Sequence, residues 1–246
     1  MPRQDRIDLL LVRRGLAPSR EQAKRLIMAG EVFVAQRKIT QPGWLVPMDS
    51  EILVRQPPKF VGRGGLKLEG ALESFGIDVT SLTALDIGAS TGGFTDCLLQ
   101  RGAAKVFAFD VGTNQLAWKI RSDPRVVSRE KFNVRHMRPE DVGQQVDLVV
   151  ADVSFISLTL VLPPALEILR PGGQAVVLVK PQFELSPDEV GKGGIVREAE
   201  LHQKACDKIE AFVKAHPHLE WIGLIESPIQ GTDGNREFLA HFRRRE

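Results

Sequence analysis

The run Ala84-Leu85-Asp86-Ile87-Gly88-Ala89-Ser90-Thr91-Gly92-Gly93-Phe94-Thr95-Asp96 constrains the fold more than any other part of this chain. It reads as a short apolar strand that breaks into a tight turn of small residues and then opens a helix. Gly88, Gly92 and Gly93 place no side chain in that turn. Backbone N–H groups and a helix N-terminus can therefore approach a bound ligand closely. Such a unit is at home in an open parallel α/β sheet that binds a nucleotide-like ligand.

The glycine spacing Gly88-x-Ser90-x-x-Gly93 only approximates the dinucleotide fingerprint. A second apolar run, Phe107-Ala108-Phe109-Asp110, ends in a carboxylate about twenty residues on, where an acid holds ribose hydroxyls. That pair suits NAD and S-adenosylmethionine equally. Two further strands separate them. Val146-Asp147-Leu148-Val149-Val150-Ala151-Asp152 ends in an acid, and Gln174-Ala175-Val176-Val177-Leu178-Val179-Lys180 ends in a lysine. Chemistry collects at the carboxyl ends of parallel strands, so Asp86, Asp110, Asp152 and Lys180 are predicted on one rim. A lysine beside a carboxylate there suits a base acting on a hydroxyl next to a cationic methyl donor. Hydride transfer has no need of it.

The 246 residues are 43% hydrophobic and 26% charged, enough for one large core plus a small module. Cys97 and Cys206 sit in apparent helices without metal-ligand spacing, and the five histidines form no metal cluster or triad, so no metal is expected. Both cysteines read as buried thiols in a reducing compartment. Ile7 to Val12 is too short for a signal peptide or a spanning helix, and a cytoplasmic protein without membrane contact is expected.

The net charge of +2 hides an asymmetry: residues 1–70 carry +6 and the remainder −4. A basic module facing phosphate is expected at the amino terminus, with a merely solvated basic surface as the alternative. Within it, Arg6 to Arg14 shows near-helical apolar spacing and stops at Gly15. Ser19 caps a second helix with Gln22 three residues on, and Gly30 ends it. Arg13 and Arg14 close the first helix; Arg20, Lys24 and Arg25 lie together on the second. Short strands follow at 31–34 and 50–54. Arg55-Gln56-Pro57-Pro58-Lys59 reads as a linker, and the glycines of Phe60-Val61-Gly62-Arg63-Gly64-Gly65 as a hinge. Taken alone, Lys67 reads as a surface lysine on a helix running to about Phe75.

The text Gly15-Leu16-Ala17-Pro18-Ser19-Arg20, Leu26 to Val34 and Asp49-Ser50-Glu51-Ile52 resembles the small RNA-binding module named after ribosomal protein S-four. It departs at Ala35-Gln36, where that family has an Asn-Gly turn. Joined to Gly62-Arg63-Gly64-Gly65-x-Lys67, the glycine loop, Ala151 to Ser157, Val179 to Glu184, Gly191 to Arg197 and Gly234-Asn235-Arg236-Glu237-Phe238, the whole chain resembles the TlyA or hemolysin A group. That group fuses the module to an FtsJ-like methyltransferase.

The resemblance implies an α/β fold: a seven-stranded, mostly parallel, Rossmann-like sheet closed by an antiparallel hairpin, with a small α+β amino-terminal domain. It divides the chain at 1–55, a linker at 56–65 and a catalytic domain at 66–246. The implied activity is 2′-O-methylation of cytidine ribose in ribosomal RNA with S-adenosylmethionine. The family's Lys-Asp-Lys-Glu tetrad falls on Lys67, Asp152, Lys180 and Glu237. We read Lys180 as the base, Asp152 as its holder, and Lys67 with Glu237 as positioning groups, because a ribose hydroxyl is a poor nucleophile until its proton is accepted. Cofactor contacts are expected from Asp86, Gly88, Ser90, Thr91, Gly92, Gly93, Asp110, Val111, Asn133 and Asp152. RNA contacts are expected from Arg6, Arg13, Arg14, Arg20, Lys24, Arg25, Arg63 and Arg197, with ribosomal RNA or subunits as partner. Phe94, Phe155 and Phe183 either pack in the core or stack on a base. A non-enzymatic RNA-binding protein keeping a methyltransferase fold is the alternative. An intact glycine loop with all four tetrad residues speaks against it.

Overall fold

The computed structural model describes residues 3–55, 58–231 and 233–246, in two compact units, 1–59 and 60–246. The first two residues of the expected linker, 56 and 57, lie outside the described residues.

In the amino-terminal unit, β1 (Gln4–Arg6) leads into α1 (Ile7–Arg13), and α2 (Arg20–Met28) follows. The Ser19 hydroxyl accepts the Gln22 N–H at 3.2 Å, the cap that the sequence announced. Then come β2 (Val32–Val34), β3 (Arg37–Ile39), β4 (Leu45–Pro47) and β5 (Ile52–Val54). Strand β2 pairs antiparallel with β3 and β5, while β1 pairs with β4. The β2–β3 turn closes on Ala35 and Gln36 with φ of +46° and +66°. Both residues thus occupy the left-handed region that an Asn-Gly turn fills more easily, and the hairpin forms at some strain. Ile7, Leu10, Leu11, Ala23, Ile27 and Val32 make its core.

The larger unit is built on seven strands in the order β11-β12-β10-β9-β6-β7-β8. They are β6 (Thr83–Ile87), β7 (Lys105–Phe109), β8 (Val126–Arg129), β9 (Val146–Ala151), β10 (Leu169–Val179), β11 (Leu219–Glu226) and β12 (Phe238–Arg244). β6 through β10 pair in parallel, and β12 runs antiparallel between β10 and β11. The chain leaves β6 towards β7 and β8, then returns to place β9 on the other side of β6. That reversal opens a crevice at the carboxyl ends of β6 and β9.

Both faces of the sheet are covered, so the strands are apolar throughout rather than alternating. In β9, Val146, Val149 and Ala151 face one core, and Leu148 and Val150 the other. Helices α3 (Gly64–Phe75), α4 (Gly93–Gln100) and α5 (Trp118–Arg121) lie on one side. On the other lie α6 (Pro139–Val142), α7 (Leu158–Ile168) and α9 (Ala199–Lys214), with the short α8 (Pro181–Glu184) directly after Lys180. Cys97 and Cys206 are reduced thiols buried on opposite sides. Among the described residues, no helix is long and apolar enough to cross a membrane.

The glycines at the start of α3 form a packed contact, not the hinge that their composition implied. A Cβ on Gly93 would come 3.0 Å from the Gly65 nitrogen and 3.1 Å from the Gly62 oxygen. Gly65 in turn lies against the buried Phe60 ring. Phe60 to Gly65 therefore belongs to the larger unit, and close backbone contact draws the start of α3, with Lys67, onto the glycine loop.

Candidate active site

Strand β6 delivers Asp86 and Ile87 to the rim, and the chain then turns sharply. Gly88 has φ of +79°, and a Cβ on it would lie 2.5 Å from the Asp152 carbonyl oxygen. Only glycine lets the loop close onto the end of β9. Gly92, with φ of +94°, starts α4 and packs on Leu116 and Ile120.

Two adjoining cavities, about 220 and 290 Å³, open along this loop and share Gly88, Ser90, Asp152 and Ser154. Of the expected cofactor residues, Thr91 and Gly93 line the first, while Asp110, Val111 and Asn133 line the second. Asp86 and Gly92 line neither and build the loop from beneath. The Asp110 carboxylate accepts the Ser90 N–H at 2.7 Å and the Gly112 N–H at 2.6 Å, so it locks the two loops flanking the second cavity. Each of its oxygens keeps lone-pair capacity for a ribose hydroxyl. Asn133 Oδ1 accepts the Arg135 N–H and starts a 3₁₀ turn.

Asp86 is fully buried. Its Oδ2 accepts the Thr95 hydroxyl at 2.6 Å, and its Oδ1 has no partner. Desolvation, reinforced by the charges of Asp152 and Asp110, pushes its carboxyl up to about 7, against the Thr95 hydrogen bond. A glycine cradle that opens on two adjoining cavities, with the Asp110 carboxylate at the second, fits a nucleoside cofactor.

Four charged side chains meet at the first cavity. Lys67, in the first turn of α3, donates to Glu237 Oε2 at 2.5 Å, just before β12. Both are buried, contrary to a surface reading of Lys67. Lys180, at the end of β10, pairs with Asp152 Oδ1 at 2.6 Å and donates to the Ser154 hydroxyl at 2.9 Å. A buried ion pair beside a second, partly buried one in one small cavity is costly for a purely structural purpose. Ser154 was not among the expected site residues. The available signals were its place two residues past a strand-end acid and within the Ala151 to Ser157 run that carries the family resemblance.

The three phenylalanines divide. Phe94 is in the core. Phe155 is 91% exposed with φ of +64°, a strained backbone for an aromatic residue. It lines the second cavity, and its ring lies 5.1 Å from that of Phe183.

The family model of the FtsJ-like methyltransferases matches residues 60–244, the glycine loop and all four charged residues included. The chain belongs to the FtsJ-like methyltransferase family. The S4 domain model matches residues 5–52 as an added module. The chain is 45% identical to the 16S/23S rRNA (cytidine-2′-O)-methyltransferase TlyA of Mycobacterium tuberculosis, over 99% of this chain and 91% of that one. It is 43% identical to Hemolysin A of Brachyspira hyodysenteriae, over 96% and 99%. A solved hemolysin-named structure from Streptococcus thermophilus matches with 46% identity and a TM-score of 0.74, covering 100% of this chain and 90% of that chain.

In the amino-terminal unit, several of the expected RNA-contacting cations also hold protein partners. Asp8 is fully buried and holds Arg6 at 3.0 Å and Arg20 at 2.9 Å. Arg13 pairs with Asp5 at 2.6 Å, and Arg14 donates to the Ser50 and Met48 carbonyls. Arg25 is exposed and Lys24 half-buried on α2. In the larger unit, Arg63 donates to the Gln230 carbonyl at 2.6 Å and still lines the first cavity; Arg197 is exposed in the loop before α9.

Proposed function

We propose that this chain transfers the methyl group of S-adenosylmethionine to the ribose 2′-oxygen of a cytidine in ribosomal RNA. The observation that carries this reading is the meeting of Lys180–Asp152 and Lys67–Glu237 at the mouth of the glycine-loop cavity. The printed name of the Mycobacterium tuberculosis relative supplies the substrate.

The bound cofactor would be held by the 88–93 loop and by Asp110, Val111 and Asn133, and would supply an electrophilic methyl group on a sulfonium. Every other task falls to the protein. In our reading, Lys180, once its own ammonium proton has been released, accepts the 2′-hydroxyl proton, and Asp152, within 2.6 Å, offsets the ammonium so formed. Ser154 holds the amine in line from the other side. Lys67 and Glu237 fix the ribose, because oriented encounter supplies most of the rate gain in a transfer between two bound partners. The exposed Phe155 offers a face on which an unstacked base can rest. The basic amino-terminal unit docks structured RNA through phosphates, with exposed Arg25 and the half-buried Lys24 among its cations, in the cytoplasm where ribosomes are made.

Unmethylated ribosomal subunits treated with the protein and cofactor should yield 2′-O-methylcytidine on nucleoside mass spectrometry. Base-methylated nucleosides would exclude the proposed chemistry. Tight RNA binding without any methylation would favour the non-enzymatic alternative.

A further inference from the structure

Asn235 is buried, and its side chain serves a distant segment. Its Oδ1 accepts the Val196 N–H at 2.9 Å, and its Nδ2 donates to the Gly194 carbonyl at 2.8 Å. Its own carbonyl accepts the Gly231 N–H at 2.9 Å. Gly231 lies against the active-site acid: a Cβ on it would come 2.7 Å from Glu237 Oε1. One residue thus ties loop 191–197 to the turn that seats Glu237, two positions further on.

The loop is built for contact on its outer side. Gly193 and Gly194 both have left-handed φ, +79° and +76°, and the Gly194 N–H closes a turn on the Gly191 carbonyl at 3.0 Å. Lys192 and Arg197 are exposed on it, while Val196 is buried and its carbonyl contacts His202 of α9 at 3.0 Å. A loop anchored inwardly through amides and cationic outwardly is suited to phosphates of a nucleic-acid strand.

We propose that Asn235 is a positioning residue: it couples phosphate contacts made by the 191–197 loop to the Lys67–Glu237 pair, so that the RNA strand sets the acid that orients the ribose. The inference rests on the RNA-methylation reading above. Only a primary amide serves both loop bonds, since Asp lacks the donor for the Gly194 carbonyl and Ala leaves the buried Val196 N–H without an acceptor.

The test compares Asn235→Ala, Asn235→Asp and Arg197→Ala in the full-length protein, by amide hydrogen exchange and by steady-state kinetics on ribosomal subunits. A ribosomal RNA fragment should slow exchange of the Gly231 amide in the wild type but not in Asn235→Ala. The kcat of Asn235→Ala should fall on the order of tenfold to a hundredfold, as for misplaced catalytic groups. Cofactor affinity should stay within a factor of about two, because Asn235 itself lines neither cavity. Asn235→Asp, which keeps one loop bond, should fall between, and it carries the test if the Ala variant does not fold. Arg197→Ala should raise KM in the wild type and add nothing further in Asn235→Ala. Independent, multiplying effects of the two substitutions, or Gly231 exchange slowed equally by RNA in both proteins, would overturn the coupling. A wild-type protein that binds RNA, shows the coupled exchange and transfers no methyl group would instead overturn the functional reading.

Discussion

Lys67 and Glu237, 170 residues apart in the chain, form a buried ion pair at 2.5 Å that joins the first turn of α3 to the start of β12. This contact ties the first helix of the larger unit to the last strand of its sheet, at the wall of the cavity where the glycine loop ends. Removing one partner would leave the other charged and desolvated. Glu237→Ala should therefore lower stability by about 3–5 kcal/mol in denaturant titration, and methyl transfer should be lost. Lys67→Met combined with Glu237→Leu should regain most of the stability but none of the activity. Recovery of both together would show that the pair is only structural.

The buried Asp86 carboxyl, raised to about 7 chiefly by desolvation, makes stability depend on pH. Unfolding returns the group to its usual 3.8, so between about 4 and 7 the native state binds a proton that the unfolded state has lost. Asp86 therefore contributes most stability at low pH, and this contribution falls away as pH rises to about 7. The difference in unfolding free energy between wild type and Asp86→Asn should shift against the wild type across that window and be flat above it. A pH-independent difference would contradict the assignment.

Phe155 combines 91% exposure with φ of +64°. Phe155→Gly should relieve backbone strain and raise stability by about 1 kcal/mol. The same substitution should weaken productive RNA binding roughly tenfold, the scale of one lost base stack. The two effects are separable by thermal denaturation and by KM for the RNA. A variant destabilised and fully active would remove Phe155 from the site.

Much of this was legible in the sequence for identifiable physical reasons. Strands β6, β7, β9 and β10 are buried on both faces, so they appear as unbroken apolar runs, and their terminal Asp and Lys residues stand out. The glycine loop is local, and so it was visible as text. What escaped notice depends on distant contacts. By local pattern alone Lys67 looked like a surface lysine, because Glu237 lies at the far end of the chain; only the family resemblance joined the two. Gly62 to Gly65 looked like a hinge because two of the groups packed on them, Thr91 against Gly62 and Phe94 against Gly64, lie beyond the following helix. Arg6 and Arg20 looked free because neither charge counting nor helical spacing shows that Asp8 is buried between them.

That last relationship separates structural from RNA-facing cations. Arg20→Ala should destabilise the amino-terminal unit, since it leaves a buried carboxylate with one guanidinium fewer. Arg25→Ala should leave the melting temperature unchanged and weaken RNA binding. It should also lower the slope of log K against log salt by about one. Equal losses of stability in both variants would contradict the division.

The most direct test of the central claim is transfer of a labelled methyl group from S-adenosylmethionine to unmethylated ribosomal subunits, run with the wild type and Lys180→Ala together. The account predicts ribose 2′-O label with the wild type, and its loss in a variant that still binds cofactor and RNA. Equal labelling by Lys180→Ala, or label found on the base, would contradict it.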